Sequence, residues 1–152
     1  MLINLEHLAA SAANKIVNTS LSKNAEATEV ENIVTKSLGV LTEQGIYALG
    51  LFLATRKRNK DEHKRNDRKS DAIVADSIHL YLASLLKETY LFTDSLKNKQ
   101  DVITDFYREI TAPNENESSV DALRRILLIK QIFETTLTYA RYAAKAAKQK
   151  LD

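Results

Sequence analysis

Apolar residues recur every three or four positions along most of the chain, which is the spacing of one face of an α-helix. A first stripe, from Leu5 to Val17, predicts a helix from about Ile3 to about Asn18. After the polar stretch TSLSKNAEAT, a longer apolar series predicts a second helix from about Thr28 to Arg56. The chain therefore begins with two helices joined by a polar connection.

The second helix contains all three glycines of the chain, Gly39, Gly45 and Gly50. Each glycine weakens a helix interior by about 1 kcal/mol relative to alanine. Their presence indicates either that another backbone packs closely against this helix or that the helix is broken. We predict a kink or a short interruption near Gly45.

Two more helices follow a strongly basic stretch of sequence. Ser70 or Asp71 can cap a third helix, whose apolar stripe continues to about Leu91. A shorter stripe, Val102–Ile110, predicts a fourth helix. This helix ends within residues 111–113, since proline disfavours helical geometry at the residue before it.

A long fifth helix closes the chain. Ser118, with Asp121 three residues later, resembles a capping pair at its start. Its apolar stripe consists of Val120, Leu123, Ile126, Leu127, Phe133, Leu137, Ala140, Ala144 and Ala147. A helix of about thirty residues spans about 45 Å and can reach past its own bundle.

Composition agrees with a helical protein. With three glycines and one proline, the chain has too few turn residues for a multi-stranded sheet. We predict an all-α fold, with residues 1–152 forming a single domain built as one bundle of about five helices. The absence of cysteine is typical of a reducing compartment, and no apolar run is long enough for a membrane span or a secretory signal. We expect a soluble, cytoplasmic protein with no membrane contact.

The stretch RKRNKDEHKRNDRK, residues 56–69, is the most basic part of the chain, and we call it the basic segment. It has eight basic and three acidic residues, a net charge of +5 in a chain of net +2. Such local charge indicates a polyanion site. The candidate phosphate contacts are Arg56, Lys57, Arg58, Lys60, Lys64, Arg65, Arg68 and Lys69. The alternative is a solvated connection between helices, although bundle connections usually have about two to eight residues.

A second basic surface lies on the fifth helix, where Arg141, Lys145 and Lys148 recur at spacings of four and three. Basic residues are also favoured near a helix C-terminus by the helix dipole, so this row has a purely structural explanation as well. Most aromatic residues lie on apolar stripes and should pack in the core. Tyr139 and Tyr142, beside the basic row, are the two candidates for stacking on nucleobases.

Catalytic motifs are missing from the sequence. Asp101, Asp105 and Glu109 form an acidic row at spacing four, which could hold Mg²⁺ but is also ordinary for a solvated helix face. The three histidines, His7, His63 and His79, lie on separate elements and lack the spacing of a zinc site. The chain has no phosphate-binding loop, nucleophile elbow or dinucleotide fingerprint. We therefore expect no enzyme activity, no cofactor, no bound metal and no small-molecule substrate.

The segment from Val30 to Arg58 resembles the second helical region of the Cmr small-subunit family of type III-B CRISPR effector complexes. The resemblance lies in the sequence Gln-Gly-Ile at residues 44–46, and in Phe52-Leu53 followed by basic residues from Arg56 onward. The segment DALRRILLIKQIFETTLTYARYAAKA is similar to the closing helix of that family. Together these segments cover about one third of the chain.

The resemblance implies a non-catalytic helical subunit that stacks along the backbone of an RNA-guided complex. Its partners would be the other subunits of the effector complex, the guide RNA and the target RNA. The missing active site and the localised positive charge favour the same hypothesis. A second hypothesis is a helical adaptor whose basic segment docks on an acidic protein, without nucleic acid.

Overall fold

The computed structural model describes residues 4–58, 66–89, 91 and 102–150, and for Arg58 and residues 66–69 it describes the backbone alone. Within these residues the chain forms helices and no strand, which confirms the all-α prediction and the long C-terminal helix. The helices are α1 (Leu5–Ser22), α2 (Ala27–Gln44), α3 (Ile46–Arg58), α4 (Asn66–Glu88), α5 (Ile103–Thr111) and α6 (Ser119–Lys150). In this part of the chain, no helix is both long enough and apolar enough to cross a bilayer.

Helix α1 extends four residues beyond its predicted end at Asn18. Its polar residues do not break it, because the Ser20 hydroxyl donates to the Ile16 carbonyl one turn earlier, at 2.7 Å. The helix stops where Asn24 takes a left-handed conformation, with φ of 72°. The Asn24 N–H then donates to Leu21 O and the Ala25 N–H to Ser20 O, both at 3.0 Å, which together form a Schellman cap.

The predicted interruption at Gly45 is confirmed, and it divides the expected second helix into α2 and α3. Gly45 has φ of 99°, a conformation that side chains with a Cβ rarely adopt. Close packing, the other role considered for the glycines, occurs at Gly50. A Cβ built there would lie 2.5 Å from the Cβ of Tyr107 on α5.

Helix α4 begins at Asn66, so the predicted start at Ser70 or Asp71 is wrong. Residues 66–69 have no apolar stripe, but arginine and lysine are good helix formers and extend the helix beyond its buried face. Ser70 lies within α4 rather than at its start, and it is buried. The basic segment is therefore not one inter-helix connection: its first three residues belong to α3 and its last four to α4.

Helix α6 starts as predicted, with the Asp121 N–H donating to the Ser118 hydroxyl at 3.1 Å. Its buried face differs from the predicted stripe in the first turns, because Val120, Leu123 and Leu127 are exposed. The side chains that α6 buries are Ala122, Ile129, Ile132, Phe133, Thr136, Leu137, Ala140 and Ala144.

One hydrophobic cluster includes side chains from all six of the described helices. At its centre, an aromatic group joins α4, α5 and α6. The rings of Phe106 and Tyr107 meet edge to face at 5.2 Å, His79 packs against both rings, and Phe133 packs against Tyr107. The prediction that aromatic residues pack in the core is confirmed for Phe106, Tyr107 and Phe133, whereas Tyr47 is exposed. The described helices thus share one hydrophobic core.

Candidate nucleic-acid interface

The first two residues of the basic segment form ion pairs between helices. Arg56 Nη1 lies 3.2 Å from Asp71 Oδ2 of α4, and the guanidinium stacks 5.1 Å above the ring of Phe52. Lys57 Nζ lies 3.1 Å from Asp76 Oδ1, also on α4. These two cations are already compensated by carboxylates, and they fasten α3 to α4.

The rest of the basic segment contributes no described side chain. Lys60, Lys64 and Arg65 lie outside the described residues. For Arg58, Arg68 and Lys69 only the helical backbone is described. Their role as phosphate contacts stays a prediction.

The second predicted basic surface lies on the last turns of α6. Between Glu134 and the end of the helix at Lys150 there are four cationic residues and no acidic one. We call Arg141, Lys145 and Lys148 the α6 cationic row. Within the described part of the chain, none of the three lies within ion-pair distance of a carboxylate.

The other arginines with described side chains make a contrast. Each of them binds a carboxylate: Arg56 with Asp71, Arg108 with Asp105, Arg124 with Asp121 and Arg125 with Glu117. Arg141 is half-buried, and its Nε is shielded from solvent without a hydrogen-bond partner among the described residues. A buried N–H without a hydrogen-bond partner destabilises the folded state.

The helix dipole accounts for only part of this row. Its effect on side chains falls off within the last turn of a helix. Since α6 ends at Lys150, Lys148 lies in that last turn, whereas Lys145 and Arg141 lie before it. The structural explanation therefore does not cover Lys145 or Arg141.

An exposed aromatic ring accompanies the α6 cationic row. Tyr142 is 63% exposed, and the ammonium group of Lys145 lies 5.9 Å from its ring centroid. Tyr139, one turn earlier, is only partly exposed, and its O–H donates to Glu6 Oε1 at 3.2 Å. Partial burial, and then the neighbouring Glu6 carboxylate, raise the pKa of Tyr139, so that it remains a neutral donor.

Tyr139 also lines an open groove between α1 and α6. The groove has a volume of about 420 Å³ and is bounded by Asn4, Glu6, His7, Ala10 and Tyr139. The Asn4 side chain caps α1 by accepting the His7 N–H at 3.0 Å. Sequence reasoning did not find this groove, because its residues come from opposite ends of the chain.

Within the described part of the chain, the candidates for metal binding and catalysis are not assembled into a site. Asp105 pairs with Arg108 at 2.6 Å, and Asp101 lies outside the described residues, as does His63. His79 packs in the aromatic core, whereas His7 is exposed to solvent. Among the described residues, no group of three or more His, Cys, Asp or Glu side chains is placed to hold a metal ion.

A second feature missed from the sequence is an apolar surface on the first half of α6. It consists of Val120, Leu123, Leu127 and Leu128, all exposed, and we call it the α6 apolar face. The signal was available: continuing the buried spacing backward from Phe133 gives Ile129, Ile126 and Ala122. The remaining apolar residues then lie on another side of the helix.

No protein-family model, curated protein or solved structure matches this chain.

Proposed function

We propose that the protein is a non-catalytic structural and RNA-contacting subunit of a type III-B CRISPR ribonucleoprotein that targets invader RNA. In this role it binds the backbone of guide or target RNA through its basic surfaces and packs against larger subunits. The observation that carries the proposal is the α6 cationic row, three cations without a carboxylate partner among the described residues. The resemblance of Val30–Arg58 and of the closing helix to the Cmr small-subunit family supplies the type of complex.

Phosphate is the ligand that suits this row. Successive cations at helical spacing lie along one line, as do the phosphates of an extended RNA strand. Such contacts fix the position of the strand without reading its bases. A guide RNA supplies the sequence specificity by base pairing, so the subunit requires no base-reading motif.

The α6 apolar face supports the second half of the proposal. Four exposed large apolar side chains within nine residues of one helix are typical of a protein contact. This face lies in the first half of α6, whereas the cationic row lies in its last turns. One helix thus offers a protein-binding end and an RNA-binding end.

The test is the salt dependence of RNA binding by the complex assembled with this subunit. Changing Lys145 and Lys148 to glutamine should weaken RNA binding and reduce the log–log salt slope by about 0.7 for each phosphate that the variant no longer neutralises. Lys36→Gln, which removes an exposed lysine of α2, serves as the control and should leave both unchanged. Unchanged affinity and slope in the double variant would remove the α6 cationic row from the RNA interface.

The basic segment is tested separately by changing Arg56, Arg58, Lys64 and Arg65 to alanine in the same assembly. Since Arg56 already binds Asp71, we expect the other three to account for any change in slope. The adaptor hypothesis predicts a different result when the protein is purified from cells. An adaptor co-purifies with protein alone, and the purified material has no nucleic-acid absorbance.

A further inference from the structure

We infer that the last turns of α6 form a subsite for unpaired RNA, in which a nucleobase stacks on the ring of Tyr142 while the adjoining phosphates bind Lys145 and Lys148. The inference rests on the proposed function and goes beyond it, because it specifies single-stranded rather than duplex RNA and names the group that contacts the base. Phosphate contacts alone do not distinguish the two forms of RNA. An aromatic side chain does.

Tyr142 has the properties of a stacking platform. It is the most exposed large apolar or aromatic side chain among the described residues, at 63%. A tyrosine ring that is left in water does not contribute the stabilisation that a buried aromatic side chain gives to a core. Bases of a single strand can stack on such a ring, and every base has a π-face to offer.

The neighbouring charges orient the strand. Lys145 lies over the Tyr142 ring at 5.9 Å, so a base that stacks on the ring brings its own phosphate close to this ammonium group. Lys148, three residues further along the helix, is exposed and extends the positive surface. On the other side, the Glu6 carboxylate at the edge of the groove repels phosphate. The backbone is therefore expected on the lysine side of the ring.

A duplex does not fit this arrangement. Its bases are stacked on one another, and its exposed surface consists of phosphate and sugar. An isolated ring beside two lysines can meet only the sugar–phosphate surface of a duplex, where it gains no stacking. Unpaired RNA gains both the stacking and the charge interactions.

The experiment uses the full chain, titrated with a short oligouridine and with a duplex of the same length. We expect tighter binding of the single strand. Tyr142→Ala should weaken binding of the single strand about 5- to 100-fold while leaving its salt slope unchanged, because stacking releases no counterions. Tyr142→Phe should restore the affinity, and Tyr142→Leu should not, because leucine has no π-face.

Two further measurements keep stacking separate from charge. An oligouridine carrying one 5-iodouridine should photocrosslink to the Tyr142 peptide, and this crosslink should persist in Lys148→Gln, whose salt slope falls by about 0.7. Tyr47→Ala, which removes an exposed tyrosine of α3, is the matched control and should bind like the unchanged chain. Circular dichroism checks that each variant is folded.

The outcomes test the stacking subsite and the proposed function separately. If single-stranded RNA binds with a salt slope that depends on Lys145 and Lys148 but Tyr142→Ala has no effect, the stacking subsite is wrong and the proposed function stands. Equal or tighter binding of the duplex also overturns the subsite. If the full chain binds neither RNA, both the subsite and direct RNA contact by α6 are wrong.

Discussion

Arg125 and Glu117 form a two-point ion pair that fixes the connection between α5 and α6: Arg125 Nε lies 3.0 Å from Glu117 Oε2, and Arg125 Nη2 lies 3.2 Å from Glu117 Oε1. The same guanidinium donates to the Ile110 and Ala112 carbonyls at 2.8 and 2.7 Å. The Arg125 side chain, on α6, is thus joined to the end of α5 and to the connection between the two helices. The two partners are only 13% and 14% exposed, so solvent screens the pair weakly.

The first prediction concerns Arg125→Met, which keeps the side chain's length and removes its donors. The two backbone carbonyls and the carboxylate then lose their partner, and we expect the free energy of unfolding to fall by about 2 kcal/mol. Urea unfolding followed by circular dichroism measures the change. Arg124→Met is the matched control, since its side chain is 77% exposed and lies 3.9 Å from Asp121. It should change the stability by less than about 0.5 kcal/mol, and equal effects of the two variants would contradict the assigned role of Arg125.

The second prediction is a pH dependence that comes from Glu117. The hydrogen bonds from Arg125, and then the Asn114 N–H, lower the pKa of this carboxyl below its ordinary value of 4.5. A lowered pKa in the folded state means that the unfolded chain takes up the proton first as the pH falls. The stabilisation by Glu117 is therefore complete above about pH 4.5 and is lost as the pH falls through the folded-state pKa.

The measurement is the free energy of unfolding from pH 7 to pH 3 for the unchanged chain and for Glu117→Gln. The two curves should be separated at neutral pH and converge in acid. Glu115→Gln removes a charge from an exposed site in the same connection and is the control. A separation that does not narrow between pH 7 and pH 3 would rule out the carboxylate as the cause.

The third prediction compares two glycines. Gly50→Ala places a Cβ 2.5 Å from the Tyr107 Cβ, an atom close to the backbone that cannot rotate away, so α3 and α5 must separate. We expect a loss of about 1 to 3 kcal/mol in the free energy of unfolding. At Gly39, inside α2, an added Cβ meets nothing within 4 Å, and Gly39→Ala should stabilise the protein by up to about 1 kcal/mol. Effects of the same sign would contradict the close packing of Gly50 on Tyr107.

These glycines also show which features of the fold could be predicted from the sequence and which could not. Helical spacing predicted the helices, and the glycines predicted the break at Gly45, because both signals depend on residues close in sequence. Which glycine packs against another helix depends on a contact between Gly50 and Tyr107, 57 residues apart in the chain. No local pattern contains that information.

The candidate site, like the fold, could be predicted from the sequence only in part. The spacing of Arg141, Lys145 and Lys148 was visible in the sequence, and the structure places them on one stretch of α6. What could not be predicted is which cations already have partners. Arg56 and Lys57 looked equivalent to the α6 cationic row until α4 brought Asp71 and Asp76 against them. Charge in a sequence becomes a binding surface only where folding leaves it uncompensated.

The last prediction reverses the usual sign of a core substitution. Tyr107 is completely buried, and its hydroxyl has no hydrogen-bond partner among the described residues. Burial raises the pKa of this phenol far above its ordinary value of 10.0, so it stays protonated and its O–H remains an unsatisfied donor. Tyr107→Phe removes the hydroxyl and keeps the ring contacts with Phe106 and Phe133, and it should raise the free energy of unfolding by about 1 kcal/mol or more.

Tyr81→Phe is the opposite case, because its hydroxyl lies 2.8 Å from Thr19 Oγ1 and its loss should cost about 1 kcal/mol. Thermal and urea unfolding of the two variants should therefore shift in opposite directions, and destabilisation by Tyr107→Phe would mean that a buried water or another acceptor satisfies that hydroxyl.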